Sequence, residues 1–195
     1  MEKTVIPVVV IKDLSETEPQ LSALKKGGIG IAEITFRTAC AAEAIALAVQ
    51  KFPDMEIGAG TVINAVQAKQ AVKAGAKFIV SPGLSEEVWK VAKKAGIPYY
   101  PGCVTPTEMM QAIALGLKVV KFFPAQVYGG LAALKALSGP FPQLKFIPTG
   151  GVSDANLAEF LAWDKIYAVG GSWMMKGDIE QKSKQTVEII RSCKQ

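Results

Sequence analysis

The most constraining feature of this chain is an alternation. Short β-branched runs are separated throughout by longer segments of helical periodicity. That order marks a parallel α/β fold, because each pair of parallel strands needs a long crossover and a helix supplies it. The runs fall at residues 5–11, 29–35, 55–58, 77–81, 98–101, 118–122, 145–148 and 166–169. No linker or composition break interrupts them. Eight strands therefore predict a single domain over residues 1–195 that closes as a (β/α)8 TIM barrel with a parallel eight-stranded barrel; an open, doubly wound sheet fits the same count. A typical barrel has about 250 residues, so short loops are expected. Only residues 1–4 precede the first run, which leaves little to cover the bottom of a barrel.

The intervening segments carry helix punctuation. Asn64 with Gln67, Ser85, Ser153 and the Thr105-Pro106-Thr107-Glu108 sequence read as helix starts, the last as a capping box with proline at the first helical position. Gly27-Gly28, Gly75, Gly96 and Gly116 stand where helices should stop in a left-handed residue. Val88, Ala92 and Ala95 share one helix face, as do Leu157, Phe160 and Leu161. Met109 and Met110 read as core filler.

Composition removes whole classes of function. The apolar run at 5–11 is broken by Pro7 and followed by Lys12-Asp13, so it reads as a buried first strand, not a leader or a membrane span. Three widely spaced cysteines, Cys40, Cys103 and Cys193, form neither a disulfide framework nor a metal cluster and suit a reducing cytoplasm. The chain has no histidine, which removes the usual general base and the commonest zinc ligand. No metal and no cofactor are expected, and the chemistry must come from lysine, carboxylate, hydroxyl or backbone groups. The net charge of +5 is carried by lysines at helix-face spacing. Neither an arginine-rich stripe nor a nucleic-acid module accompanies it, so no nucleic-acid partner and no membrane partner are expected.

In a barrel the reacting groups stand at the C-terminal ends of the strands. Lys121 lies there between Val120 and Phe122, where an ammonium is costly to bury and a neutral amine is a nucleophile toward carbonyls. Glu33 is the one carboxylate in the apolar stretch 31–35, a candidate for acid/base work or for a structural ion pair with a buried lysine. Arg37 is one of only two arginines beside twenty lysines, which points to a task needing a planar fork, either two-point carboxylate binding or a loop-locking salt bridge. Thr149-Gly150-Gly151 and Gly170-Gly171-Ser172 are glycine-rich turns after the last two strands, where barrels build phosphate sites from backbone N–H groups. The sequence Gly58-Ala59-Gly60-Thr61-Val62 lacks the third glycine and the distal acidic residue of a dinucleotide fingerprint. Cys103 reads as a small space-filler.

These pieces together resemble the 2-keto-3-deoxy-6-phosphogluconate (KDPG) and 4-hydroxy-2-oxoglutarate (KHG) aldolase family. The resemblance rests on residues 32–38, 58–62, 81–83, 121–125, 148–151 and 170–173, which occur in family order over nearly the whole chain. It implies a cytoplasmic, cofactor-free class I aldolase, usually a homotrimer, acting on a small phosphorylated 2-keto acid. It further implies Lys121 as the Schiff-base lysine and Glu33 as its acid/base partner. Arg37, Thr61 and Thr149 then hold the substrate, Pro82 and Phe123 wall the pyruvyl group, and Gly150, Gly151, Gly171 and Ser172 bind phosphate. The alternatives are 4-hydroxy-2-oxoglutarate, the galactonate epimer of the substrate, or a non-catalytic barrel that binds or assembles. Lys12 departs from the arginine that some relatives carry after the first strand, which bears on the preferred acid.

Overall fold

The computed structural model describes residues 4–193. It is an α/β fold in which strands and helices alternate along the whole described length. The strands are β1 (Val5–Val9), β2 (Ile31–Thr35), β3 (Glu56–Gly60), β4 (Ile79–Val80), β5 (Tyr99–Tyr100), β6 (Val119–Phe122), β7 (Lys145–Pro148) and β8 (Val169–Gly171). The helices are α1 (Thr17–Lys26), α2 (Ala41–Lys51), α3 (Ala65–Lys73), α4 (Glu86–Ala95), α5 (Pro106–Ala114), α6 (Gly130–Ser138), α7 (Leu157–Ala162) and α8 (Ile179–Ser192). Among the described residues no helix is long and apolar enough to cross a membrane.

Every residue of β1 and β2 is buried. That is the state of parallel strands covered on both faces, and it explains why their sequences run apolar without alternation. The strands form a curled parallel sheet in the order β5-β4-β3-β2-β1-β8, with β6 and β7 as a separate parallel pair. Isolated bridges join the two sets, Gly102 to Lys121 on one side and Phe146 to Ile166 and Thr149 to Gly170 on the other. The α/β class is thus as expected, while continuous laddering extends over six strands. The ladder breaks at the β5–β6 and β7–β8 junctions, where isolated bridges replace it, and β5 is only two residues long. Residues 1–3, whose thin cover of the barrel bottom was expected from sequence, lie outside the described residues.

Local signals were legible with specific exceptions. Asn64 accepts from the Gln67 N–H, Ser85 from the Val88 N–H, and Thr105 forms the full capping box with Glu108. Ser153 does not cap a helix: its own N–H is donated to Asn156 Oδ1, and α7 starts four residues later at Leu157 with Asn156 at the N-cap. Gly28, Gly75, Gly96 and Gly116 are left-handed, but Gly27 is right-handed and is a glycine for another reason, since a Cβ there would collide with Ser183 on α8. Ala95 and Met110 face solvent, unlike Ala92 and Met109. The last strand is displaced from 166–169 to Val169–Gly171, so glycines read as turn residues belong to the sheet.

Candidate active site

Lys121 and Glu33 are both almost wholly buried, and Lys121 Nζ lies 3.7 Å from Glu33 Oε1. Register puts them there. Glu33 is paired between Val8 of β1 and Gly58 of β3. Lys121 is opposite Ile147 of β7, donates its N–H to Pro101 and accepts from the Cys103 N–H, both at 2.8 Å. Both backbones are therefore clamped on either side, and the head groups meet across the interior.

The pair is poorly satisfied. A separation of 3.7 Å is too long for a hydrogen bond, and Glu33 Oε1 has no hydrogen-bond partner in the structure. A buried acceptor left unpaired costs about 1–3 kcal/mol, so this geometry is not one that stability alone would favour. It leaves the carboxylate free to take a proton and the amine free to meet a carbonyl. Lys121 Nζ also stands 5.2 Å from the centre of the Phe123 ring, within cation–π range.

Next to this pair is a cavity of about 170 Å³. Seven of the residues singled out from sequence line it: Arg37, Phe123, Thr149, Gly150, Gly151, Gly171 and Ser172. Gly150 and Gly151 hold φ of +92° and +79°, a conformation that glycine adopts without steric penalty. Among the described residues the amides of Gly151 and Ser172 make no backbone hydrogen bond in the turns they belong to. Unpaired N–H groups at two adjacent turns suit an anion. Thr149 Oγ1 fills the position a Cβ on Gly170 would take, so that glycine lets the two turns pack together.

Arg37 donates from Nε to Thr61 Oγ1 at 3.0 Å. No salt bridge engages its terminal N–H groups among the described residues, so the fork remains available at the cavity. Thr61 holds this contact from a left-handed backbone with φ +55°, the one non-glycine residue of positive φ among those described. Backbone strain in a β-branched residue is a mark of functional positions.

Pro82 is not brought into this cavity. It is exposed and borders a neighbouring one of about 240 Å³ with Val62, Ile63 and Ser81. Cys103 is fully buried, and burial, with a lesser contribution from Glu108, pushes its thiol up to about 12, which makes it an inert space-filler. At three residues the structure supplies a reason that the sequence did not. Gly60 has no side chain because the Glu33 carboxylate occupies the space, Gly102 because the Pro82 carbonyl does, and Asp154 bonds Trp173. None of these contacts is signalled in the sequence, since each is made with a neighbour distant along the chain.

Comparison with known proteins gives a consistent result. The family model described as KDPG and KHG aldolase matches residues 1–190. The KHG/KDPG aldolase of Escherichia coli (strain K12) is 41% identical over 196 residues, covering 97% of this chain and 92% of that protein. The 2-dehydro-3-deoxy-phosphogluconate aldolase of Dickeya dadantii is 45% identical over 174 residues, covering 89% and 82%. Among solved structures, the KDPG aldolase of Legionella pneumophila, with pyruvate captured at low pH as a covalent carbinolamine intermediate, matches with a TM-score of 0.87. It is 41% identical, covering 97% of this chain and 93% of that one.

Proposed function

This chain belongs to the KDPG and KHG aldolase family, and from that premise we propose that it cleaves 2-dehydro-3-deoxy-6-phosphogluconate to pyruvate and glyceraldehyde 3-phosphate through a Schiff base on Lys121. The observation that carries this reading is the buried approach of Lys121 Nζ to Glu33 Oε1 at 3.7 Å, next to a cavity rimmed by Arg37 and two glycine-rich turns.

Glu33 is the acceptor for the proton that the Lys121 ammonium must give up before it can attack. The free amine adds to C2 of the keto acid to form a carbinolamine, and Glu33 returns its proton to the departing hydroxyl, which leaves as water to give a protonated imine and a carboxylate again able to accept a proton. The C3–C4 bond then breaks with its electron pair flowing to the imine nitrogen. Glu33, directly or through a water, takes the C4 hydroxyl proton as glyceraldehyde 3-phosphate leaves. The same group returns a proton to C3 of the enamine, and water releases pyruvate and free lysine. No cofactor enters this route. Arg37 and Thr61, with Thr149, hold the carboxylate region, and Phe123 supplies apolar wall. Gly150, Gly151, Gly171 and Ser172 bind phosphate through backbone N–H groups. The bridges at Gly102–Lys121 and Thr149–Gly170 support an eight-stranded barrel, and the unbroken strand–helix alternation supports a single domain. Resemblance to the family supports a homotrimer acting in the cytoplasm.

A second substrate has a specific observation behind it. The Escherichia coli relative is named for both KHG and KDPG, so 4-hydroxy-2-oxoglutarate is proposed as an alternative substrate for the same lysine.

The test is pyruvate release from the phosphorylated substrate, followed by coupled reduction. The wild type should turn over, Lys121→Met should fall to background, and Glu33→Gln should lose about 10²–10⁴-fold in kcat. A Lys121→Met enzyme retaining a tenth of wild-type turnover would remove Lys121 from the reaction.

A further inference from the structure

Outside the groups assigned above, one carboxylate ties three elements together at the phosphate end of the cavity. Asp154, in the turn between β7 and α7, accepts at Oδ1 from the indole Nε1 of Trp173 at 2.8 Å and from the Thr186 hydroxyl at 3.1 Å. Trp173 opens the 3-10 turn that follows β8, and Thr186 is fully buried on α8. The six-membered edge of the Trp173 ring occupies the position that a Cβ on Gly171 would take. Gly171 does not have a left-handed φ, so its lack of a side chain is accounted for by the ring. The ring therefore sets where the Gly171 backbone can lie, and Gly171 and Ser172 form part of the cavity wall. A hydrogen bond to a carboxylate is shorter and stronger than a neutral one. The same carboxylate also belongs to the loop that begins with Gly150 and Gly151, so it couples the two glycine-rich turns.

We propose that Asp154, acting through Trp173, is a positioning residue that sets the Gly171–Ser172 turn for the substrate's phosphate and so selects phosphorylated over unphosphorylated 2-keto acids. This rests on the phosphate assignment made above. Asp154 and Trp173 touch neither the reacting carbons nor Lys121 in this scheme. Their loss is felt in binding of the phosphorylated substrate and not in the chemical step.

The experiment compares Trp173→Phe, Asp154→Ala and Asp154→Asn with the wild type on two substrates, 2-dehydro-3-deoxy-6-phosphogluconate and the same acid without its phosphate. Inorganic phosphate serves as a competing probe, and thermal melts report folding. Trp173→Phe and Asp154→Ala should raise KM for the phosphorylated acid and Ki for inorganic phosphate about tenfold, equivalent to ~1.4 kcal/mol of binding. Turnover of the unphosphorylated acid should stay within about twofold of wild type. Asp154→Asn keeps an oxygen acceptor for the indole and should recover most of the loss. If Asp154→Ala does not fold, Trp173→Phe, which keeps an aromatic ring and lacks the N–H, decides alone. An equal loss on both substrates, or none on either, overturns the positioning role while leaving the phosphate assignment in place. A wild type that shows no preference for the phosphorylated acid and is not inhibited by phosphate overturns the phosphate assignment, and the positioning role falls with it.

Discussion

The carboxylate of Glu33 occupies the space into which a Cβ on Gly60 would project, so the glycine at the end of β3 is fixed by the acid/base candidate on β2. Gly60 is buried and does not have a left-handed φ, which leaves this contact as the reason for its identity. Gly60→Ala should displace the carboxylate from Lys121 and lower kcat at least about tenfold, with an overpacking cost of about 1–3 kcal/mol. Kinetics and urea denaturation of the one variant check both. Wild-type values of both would show that Glu33 has room to spare.

Thr61 trades backbone comfort for a hydroxyl that receives Arg37 Nε at 3.0 Å. Thr61→Ala and Thr61→Gly both remove that acceptor and should raise KM for the keto acid to a similar degree. They should differ in stability, because a Cβ in the left-handed region costs roughly 1–2 kcal/mol. Thr61→Gly should unfold at higher urea than Thr61→Ala despite its more flexible unfolded chain. Equal midpoints would place the strain elsewhere.

The Lys121–Glu33 pair predicts a non-additive cycle. Lys121→Met leaves the buried Glu33 Oε1 with neither a hydrogen bond nor its lysine counter-charge, and breaking one partner of a buried pair typically costs about 3–5 kcal/mol. Adding Glu33→Gln removes the stranded charge, so the double variant should be more stable than Lys121→Met alone although equally inactive. Urea midpoints of the four proteins measure the coupling. Additive losses would mean that the two groups do not sense each other.

Much of this was readable from residues in order. The α/β class followed from strand–helix alternation, and Lys121 and Glu33 stood out as charges set in apolar strands. What escaped reading depends on partners far along the chain. Gly170 and Gly171 looked like turn residues because glycine is poor in strands, yet Thr149 and Trp173 occupy the space of their missing side chains, which allows β8 to include them. Ser153 looked like a helix cap because serine caps well, but its amide is taken by Asn156 and the helix starts later. Pro82 fits the family pattern in sequence and borders a different cavity from Arg37. Asp154 had no local signal, since its role exists only where β7, β8 and α8 converge.

The capping box on α5 predicts a pH dependence of stability. Burial raises the Glu108 carboxyl, but bonds from the Val104 and Thr105 amides and the Thr105 hydroxyl outweigh it and hold the group below its ordinary 4.5. A depressed folded value means that the stabilisation is fully present above the unfolded value. It is lost as pH falls through the folded one. Relative to Glu108→Gln, the wild type should therefore hold a constant advantage near neutrality that shrinks in acid below about pH 4.5. Urea denaturation of both proteins across that range measures it, and an advantage unchanged in acid would contradict the capping role of the carboxylate.

The most direct measurement is reduction of the protein with sodium borohydride in the presence of pyruvate, followed by mass spectrometry and peptide mapping. A Schiff base on the buried lysine of β6 predicts a single stable pyruvyl-amine adduct on the peptide that contains Lys121, absent from Lys121→Met. No adduct, or one at another lysine, under conditions that label a known class I aldolase would contradict it.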